Sequence, residues 1–203
     1  MRIFLAGATG VIGARLLPRM LAAGHHVAAM TRSAGKLGGL ELLGATPVLC
    51  DVFDAAELTG SVLEFRPDVL VHLVTDLHDD VGQLDAFLPA SRRALSEGTR
   101  NLLAAACVAD TRWFVAQSIA WRRGANITAH ECAVRGFGGV VLRYGQLYGP
   151  GTSYVDDLPP APRIHVDVAA ERTMAHLTGP AATVTIVDEA LTRGPQDNEV
   201  CAV

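Results

Sequence analysis

Three glycines at intervals of three residues constrain this chain more than any other feature. Gly7, Gly10 and Gly13 lie between the apolar run of residues 2–6 and an amphipathic helical pattern over residues 10–23. In that context the first glycine permits a tight turn, the second lets the backbone approach a pyrophosphate, and the third lets helix and strand pack closely. The helix N-terminus offers free N–H groups to the anion; a purely structural turn is the alternative. We assign six residues to this predicted dinucleotide site: Gly7, Thr9, Gly10, Val11, Ile12 and Gly13.

Short apolar runs alternate with amphipathic helical patterns along the chain. The predicted strands are residues 2–6, 26–30, 46–50, 69–74, 112–117, 140–144 and 183–187. The predicted helices are residues 10–23, 34–43, 55–65, 84–108, 127–135 and 169–177. Such alternation is typical of βαβ units, and near-continuous apolar strands indicate a sheet covered on both faces. We therefore predict an α/β fold of the Rossmann type, one domain over residues 1–203, with a doubly wound, mainly parallel sheet of about seven strands and helices on both faces.

Composition excludes several classes of function. The net charge is −4 and the basic residues form no cluster, which argues against a nucleic-acid partner. No apolar run approaches the roughly 18 to 20 residues that span a bilayer, and the apolar start of the chain is too short for a secretory signal. We therefore expect a cytoplasmic protein with no membrane association. The four cysteines lack C-x-x-C spacing and the histidines lack metal spacing, so we expect reduced thiols and no metal.

The segment after the second predicted strand carries two basic residues. In dinucleotide-binding folds an acidic residue at this point holds the ribose 2′-OH of NAD, whereas a basic residue accommodates the 2′-phosphate of NADP. Here the sequence is Met30-Thr31-Arg32-Ser33, with Lys36 close behind. Arg32 and Lys36 therefore favour NADP, with NAD as the alternative cofactor. A solvated basic loop would show the same pattern.

Four further motifs follow the glycine loop in order. They are Gly98-Thr99-Arg100-Asn101-Leu102-Leu103-Ala104-Ala105-Ala106, Phe114-Val115-Ala116-Gln117-Ser118, Val141-Leu142-Arg143-Tyr144-Gly145-Gln146-Leu147-Tyr148-Gly149-Pro150-Gly151 and His165-Val166-Asp167-Val168-Ala169-Ala170. Together with the G-x-x-G-x-x-G loop, they resemble the NAD-dependent epimerase/dehydratase family of extended and atypical short-chain dehydrogenase/reductases. The resemblance implies that Asp51 and Val52 contact the adenine, and that Leu73, Val74 and Thr75 line the ribose and nicotinamide side.

The residue pair that transfers the proton in that family is absent from this chain. Catalytic members carry Tyr-x-x-x-Lys on the helix after the fifth strand, whereas this sequence has three tyrosines and one lysine, none in that spacing. Counted back from Glu131, the family's tyrosine and lysine positions fall on Arg123 and Ile127. Ser118 is the hydroxyl available at the end of the fifth strand, although alignment of that strand puts the family's hydroxyl on Ile119. Catalytic and structural roles therefore both stay open for Ser118.

Two tyrosines near the sixth predicted strand are substitute proton donors. The C-terminal end of that strand faces the nicotinamide in this fold, so Tyr144 or Tyr148 could protonate a substrate within hydrogen-bond reach, with packing as the alternative. Gln146 matches a substrate-side position of the family. His130 beside Glu131 suggests an acid/base pair, but adjacent residues on a helix point in different directions.

The C-terminal part of the chain is short for the family. Residues 149–203 form a reduced substrate-side segment, with about thirteen residues between Gly151 and His165. Either the substrate is a small molecule, or a second copy of the chain completes the pocket in a homo-oligomer. We predict an NADP-dependent oxidoreductase that acts on a small carbonyl or hydroxyl substrate. The alternatives are a catalytically inactive dinucleotide-binding regulator or scaffold, and a non-redox isomerase or cyclase on the same fold.

Overall fold

The computed structural model describes residues 1–75 and 92–188. The strands in these ranges are β1 (Arg2–Ala6), β2 (His26–Thr31), β3 (Thr46–Leu49), β4 (Val69–His72), β5 (Trp113–Ile119), β6 (Val140–Tyr144), β7 (Gln146–Tyr148), β8 (Arg163–His165) and β9 (Ala182–Ile186). The helices are α1 (Gly13–Ala22), α2 (Leu37–Leu42), α3 (Ala55–Phe65), α4 (Thr99–Val108), α5 (Ala125–Gly136) and α6 (Val166–Met174), with a 3-10 turn at Ala34–Lys36 and a π-helical turn at Ala94–Gly98.

Seven strands form one parallel sheet in the order β3-β2-β1-β4-β5-β6-β9. The chain proceeds from β1 outward to β3, then crosses back and proceeds from β4 outward to β9. Open α/β sheets bind ligands at the carboxyl ends of the strands where the order reverses, which here is the crevice between β1 and β4. The predicted Rossmann-type fold is confirmed.

Alternate residues of β1 show how the sheet is covered on both faces. Ile3 and Leu5 pack in one apolar layer with α1 and α6, whereas Phe4 and Ala6 pack in a second layer with α3, α4 and α5. All four side chains are fully buried. Burial of each large side chain contributes about 1.5 to 3 kcal/mol, so the two layers supply the main stabilisation of the sheet and fix the strand ends that form the site.

Helix boundaries differ from the predicted ones where capping decides them. Helix α3 has the predicted bounds, because the Asp54 carboxylate accepts from the Glu57 N–H over 3.0 Å and caps the first turn. Helix α1 begins at Gly13 because residues 10–12 form the glycine turn. Helix α6 begins three residues before the predicted start, at Val166, because His165 Nδ1 accepts from the Asp167 N–H over 3.3 Å.

The predicted helix over residues 84–108 is described only in part. Residues 76–91 lie outside the described residues, and the remainder forms the π-helical turn and α4. All seven predicted strands are present, within one or two residues of their predicted ends. The structure adds the short parallel pair of β7 and β8, in which Tyr148 lies opposite His165.

Two observations bear on the predicted thiols and membrane behaviour. Cys50 and Cys107 are free, but Cys132 is disulfide-bonded, so the expectation of reduced thiols is wrong at that position. Spacing along the chain does not report which thiols the fold brings together. Within the described ranges no helix is both long and apolar enough to cross a membrane, and no three His, Cys, Asp or Glu side chains meet as metal ligands.

Candidate cofactor and active site

The glycine loop turns sharply between β1 and α1. Gly7 has a φ of +89°, and a Cβ there would lie 2.8 Å from the carbonyl carbon and oxygen of Leu73. A Cβ on Gly13 would lie 2.1 Å from the Gly7 oxygen, so α1 and the loop pack backbone to backbone. Gly10 is exposed, and the nearest described atom to its would-be Cβ is the Gly7 oxygen at 3.4 Å. The loop therefore leaves open space at Gly10, as the close approach of a pyrophosphate requires.

Arg15 on α1 ties the glycine loop to the turn that follows β7. Its Nη1 donates to the Val11 carbonyl over 3.0 Å, and its Nη2 donates to the Pro150 carbonyl. Its Nε donates to the Asp167 carboxylate over 2.9 Å. Because one guanidinium joins these three partners, the turn after Tyr148 is held beside the glycine loop.

The basic segment lies next to the glycine loop in space. Thr9 Oγ1 lies 3.3 Å from Thr31 Oγ1, which is at the end of β2, and Arg32 follows directly. Arg32 and Lys36 are both exposed. The structure therefore puts two cationic side chains at the edge of the sheet where dinucleotide-binding folds hold the adenosine ribose.

Asp51 and Val52 follow β3 at the same edge of the sheet. The Asp51 carboxylate accepts from the Phe53 N–H over 3.0 Å and closes a turn. The Val52 side chain is buried, and its carbonyl accepts from Asn101 Nδ2 over 3.0 Å. Asp51 is half-buried whereas Val52 is 3% exposed, so Asp51 is the more accessible of the two to a ligand at this edge.

Leu73, Val74 and Thr75 follow β4 and border the glycine loop. Leu73 is buried, Val74 half-buried and Thr75 exposed, so the chain rises from the core to the surface over three residues. The Val74 N–H donates to His72 Nδ1 over 3.2 Å. The Val74 nitrogen would also lie 3.1 Å from a Cβ on Gly7, so the glycine loop and this segment share a tight backbone contact.

Ser118 belongs to a buried charged network at the end of β5. Its hydroxyl donates to Glu131 Oε1 over 2.6 Å, and Arg143 donates to both oxygens of the same carboxylate over 2.8 and 2.6 Å. The side chains of Glu131 and Arg143 are only 8% and 11% exposed. Burial opposes ionisation of Glu131, but the hydrogen bonds from Arg143 and Ser118 outweigh it and hold the pKa of Glu131 below its ordinary value. Sequence analysis missed Arg143 as the partner of this carboxylate.

Tyr144 is a core residue rather than a group at the site. Tyr144 is the last residue of β6 and is 3% exposed. Its side chain packs in the apolar layer that contains α6. The Thr173 hydroxyl donates to the Ala169 carbonyl over 2.7 Å, so Tyr144 must donate its own hydrogen to Thr173 over 2.6 Å. Burial raises the pKa of Tyr144 further above its ordinary value. Burial and this internal hydrogen bond favour the packing alternative for Tyr144 over a proton-donor role.

Tyr148 lies at the end of β7 among polar side chains. Its hydroxyl donates to Asp188 Oδ2 over 3.2 Å, and its ring meets the His165 ring edge to face at 5.2 Å. Burial and the negative charge of Asp188 raise the pKa of Tyr148, so the phenol is protonated at neutral pH. Gln146, two residues earlier, donates from Nε2 to the Pro160 carbonyl over 2.8 Å. Tyr148 is therefore half-buried and protonated, while the Gln146 amide nitrogen is engaged with the following loop.

The positions that correspond to the family's tyrosine and lysine hold side chains that cannot replace them. Arg123 is exposed and precedes α5. Ile127 is buried in the first turn of α5. An aliphatic side chain therefore stands at the sequence position that corresponds to the family's lysine.

A buried chain of hydrogen bonds beneath the site was missed by sequence analysis. His72 Nε2 lies 3.1 Å from Thr99 Oγ1, which lies 2.8 Å from His130 Nδ1, and His130 Nε2 lies 2.9 Å from the Gln117 carbonyl oxygen. Burial, reinforced by the neighbouring His130, lowers the pKa of His72 to about 3. Burial also lowers the pKa of His130. The available signal was His72 itself, because a polar residue within an apolar strand requires a buried partner.

Comparisons with known proteins agree with this geometry. The family described as NAD(P)H-binding matches residues 7–125. A 3-diazoavenalumate denitrifying reductase of a Streptomyces species is 34% identical over 188 aligned residues, which cover 77% of this chain and 60% of that relative. A UDP-glucose 4-epimerase of Mycolicibacterium smegmatis is 37% identical over 82 residues, 38% of this chain and 26% of the relative. The chain thus spans less than two thirds of the length of either relative.

Solved structures share the fold at low sequence identity. A UDP-glucose 4-epimerase of Thermus thermophilus, in complex with NAD, superposes with a TM-score of 0.74 at 19% identity and covers 92% of this chain and 78% of its own. The UDP-Glc/GlcNAc 4-epimerase of Campylobacter jejuni gives the same TM-score at 15% identity, with the same coverage. These structures therefore agree with the predicted Rossmann-type fold.

Proposed function

Because the chain belongs to the NAD(P)H-binding family, we propose that it is an NADP-dependent oxidoreductase of the atypical short-chain dehydrogenase/reductase type, acting on a small carbonyl or hydroxyl substrate. The relative named as a reductase supports redox chemistry over epimerisation. When bound, the nicotinamide supplies or accepts the hydride. The protein contributes the open space at Gly10, positive charge at the ribose edge and a proton donor near the end of β7.

The contact between Thr9 and Thr31 is the observation that best supports NADP over NAD as the cofactor. It brings the glycine loop to the end of β2, so that Arg32 is the first side chain beyond the loop at that edge. Lys36 closes the 3-10 turn three residues after Ser33 and adds a second cation. A charge-assisted hydrogen bond contributes about 1.5 to 3 kcal/mol, which corresponds to roughly ten- to a hundred-fold in affinity for a 2′-phosphate.

Tyr148 is the proton donor that we propose. Its raised pKa keeps the hydroxyl protonated at neutral pH, and its ring is half-buried at the turn that Arg15 holds beside the glycine loop. In this arrangement the hydroxyl must turn from Asp188 toward a substrate oxygen before it can donate. Ser118 is the second candidate catalytic group, although its hydrogen is directed at Glu131.

Titration of NADP and NAD into the protein tests the cofactor preference. We expect tighter binding of NADP, and Arg32→Ala should weaken NADP binding roughly ten- to a hundred-fold with little effect on NAD. Arg112→Ala is the matched control, because Arg112 is also exposed but precedes β5 at the opposite edge of the sheet, where it lies 4.2 Å over the Trp113 ring. Equal affinity of the unchanged protein for both cofactors would contradict the proposal.

A dinucleotide-binding regulator without catalysis is the second candidate function. The observation that favours it is the buried Ile127 at the position of the family's lysine. Turnover separates the two functions: NADPH oxidation with a panel of small carbonyl compounds supports the oxidoreductase, whereas tight binding without turnover supports the regulator. The homo-oligomer and the cytoplasmic location remain predictions, and both are independent of this experiment.

A further inference from the structure

The buried chain from His72 through Thr99 to His130 joins four separate elements of the fold. His72 ends β4, Thr99 begins α4, His130 lies on α5, and Gln117 lies in β5. The side chains of His72, Thr99 and His130 are at most 2% exposed. Buried polar groups at this depth persist only when each has a partner. Every hydrogen bond in this series must therefore have one donor and one acceptor.

The acceptor at one end fixes the direction of all four hydrogen bonds. The Gln117 carbonyl can only accept, so His130 Nε2 carries a hydrogen; because burial keeps this imidazole neutral, His130 Nδ1 accepts from the Thr99 hydroxyl. Thr99 has one hydrogen, so its oxygen accepts from His72 Nε2. His72 Nδ1 then accepts from the Val74 N–H. His72 is neutral as well, because its Nδ1 accepts a hydrogen bond, in agreement with its lowered pKa.

This series of hydrogen bonds ends on the two backbone segments that border the site. At one end it holds the Leu73–Val74 peptide, whose atoms would lie 2.8 to 3.1 Å from a Cβ on Gly7. At the other end it holds the Gln117 carbonyl, one residue before Ser118. The peptide that supports the first glycine of the loop is therefore hydrogen-bonded, through three buried side chains, to the end of β5.

We infer that Thr99 is a positioning residue for the cofactor site, which it aligns by holding the Leu73–Val74 peptide against Gly7 through His72 and the end of β5 through His130. The inference rests on the proposed dinucleotide binding and names a residue to which that proposal gives no role. Thr99 is suited to this position because one hydroxyl both donates and accepts. Valine has the same shape, but would leave a buried N–H donor on His72 and a buried acceptor on His130 without partners.

Three variants test the inference, with the dissociation constant for NADP measured well below each melting temperature. Thr99→Val should weaken NADP binding about tenfold, because two unpaired buried groups no longer hold the peptide. Thr99→Ser restores the hydroxyl and should return the dissociation constant to near the original value. Thr59→Val is the matched control, since the Thr59 hydroxyl donates only to Ala55 on α3, away from the site. Equal NADP binding by Thr99→Val and the unchanged protein, or no restoration by Thr99→Ser, would overturn the inference.

Hydrogen exchange at the Val74 amide separates failure of this inference from failure of the proposed function. Exchange should be faster in Thr99→Val than in the unchanged protein or in Thr59→Val, whether or not any cofactor binds. If the unchanged protein binds neither NADP nor NAD, the proposed function fails, and unchanged Val74 exchange in Thr99→Val would then overturn the positioning role as well. If Thr99→Val does not fold, His72→Asn replaces it: the shorter amide keeps an acceptor for Val74 but loses the hydrogen bond to Thr99, and we expect the same weakening of NADP binding. Unchanged NADP binding by His72→Asn would overturn the inference.

Discussion

The Ser118 hydroxyl donates to the Glu131 carboxylate over 2.6 Å, and Arg143 completes the hydrogen bonding of that carboxylate from the neighbouring strand. His130, the residue before Glu131, instead bonds the Gln117 carbonyl, the residue before Ser118. Two adjacent residues of α5 therefore hold two adjacent residues of β5. His130 and Glu131 point to different partners, so they do not form the acid/base pair that their adjacency suggests.

Loss of the Glu131 charge should destabilise the fold. Glu131→Gln removes the carboxylate that pairs with the buried Arg143 guanidinium, and we expect the free energy of unfolding to fall by about 3 to 5 kcal/mol. Urea unfolding measures this change. The matched control is Glu97→Gln: Glu97 pairs with Arg93 one turn away on the helix surface, with side chains 31% and 55% exposed, so its loss should leave the free energy of unfolding almost unchanged. Similar losses in both variants would show that burial does not strengthen the Glu131 pair.

Tyr148→Phe should slow NADPH oxidation. Removal of a general acid typically costs about 10² to 10⁴-fold in rate, while cofactor binding should persist because the ring and its contact with His165 remain. Two quantities are measured on the same sample: the rate with whichever carbonyl compound the unchanged protein reduces, and the dissociation constant for NADP. Tyr144→Phe removes a phenol from the core instead, and should lower the free energy of unfolding by about 1 kcal/mol without slowing turnover. A Tyr148→Phe variant that turns over at the original rate would show that this tyrosine is structural.

Substitutions of the loop glycines should separate binding from folding. Gly10→Val should abolish dinucleotide binding and keep the fold, because its side chain enters open space reserved for the pyrophosphate. Gly13→Ala should lower the free energy of unfolding by about 1 to 3 kcal/mol, since its Cβ meets the Gly7 oxygen. Circular dichroism, urea unfolding and NADP titration on each variant decide the matter. Gly60→Ala, in open space on α3, is the control and should stabilise the helix by about 0.5 to 1 kcal/mol. Unchanged NADP binding by Gly10→Val would mean that the turn is only structural.

Stability should fall steeply in mild acid because of His72. The unfolded chain binds a proton at His72 below its ordinary pKa of 6.5, whereas the folded chain does not until about pH 3. The stability that neutral His72 allows is therefore fully present above pH 6.5 and is lost as the pH falls, at about 1.4 kcal/mol per pH unit. His130 adds to this loss, while Glu131 contributes only below its ordinary pKa of 4.5.

Urea unfolding at pH 7, 6 and 5 measures this dependence. In His72→Asn the slope of unfolding free energy against pH should decrease by up to about 1.4 kcal/mol per pH unit, because one titrating group is removed. The comparison uses slopes, so it is unaffected by a lower overall stability of the variant. An identical slope in both proteins would show that His72 does not titrate differently in the folded and unfolded states.

The sequence by itself determined most of the secondary structure and the position of the glycine loop. Helix α3 has its predicted bounds because Asp54, Glu57 and the apolar spacing that follows act within a few residues of each other. The seven strands were predictable because each is a short apolar run, and the glycine loop because it lies between one such run and an amphipathic helix. These signals are local, so they do not depend on how the helices and strands pack against one another.

The tertiary structure alone decided which polar groups meet. Tyr144 and Tyr148 are four residues apart and were both candidates, yet the first donates to Thr173 inside the core and the second to the half-buried Asp188. The Ser118–Glu131 contact spans 13 residues, and the contact of Arg15 with α6 spans 152. Such partners are chosen by the sheet order and by the direction in which each strand and helix presents its side chains. A linear pattern contains neither quantity, because both arise only when the elements pack.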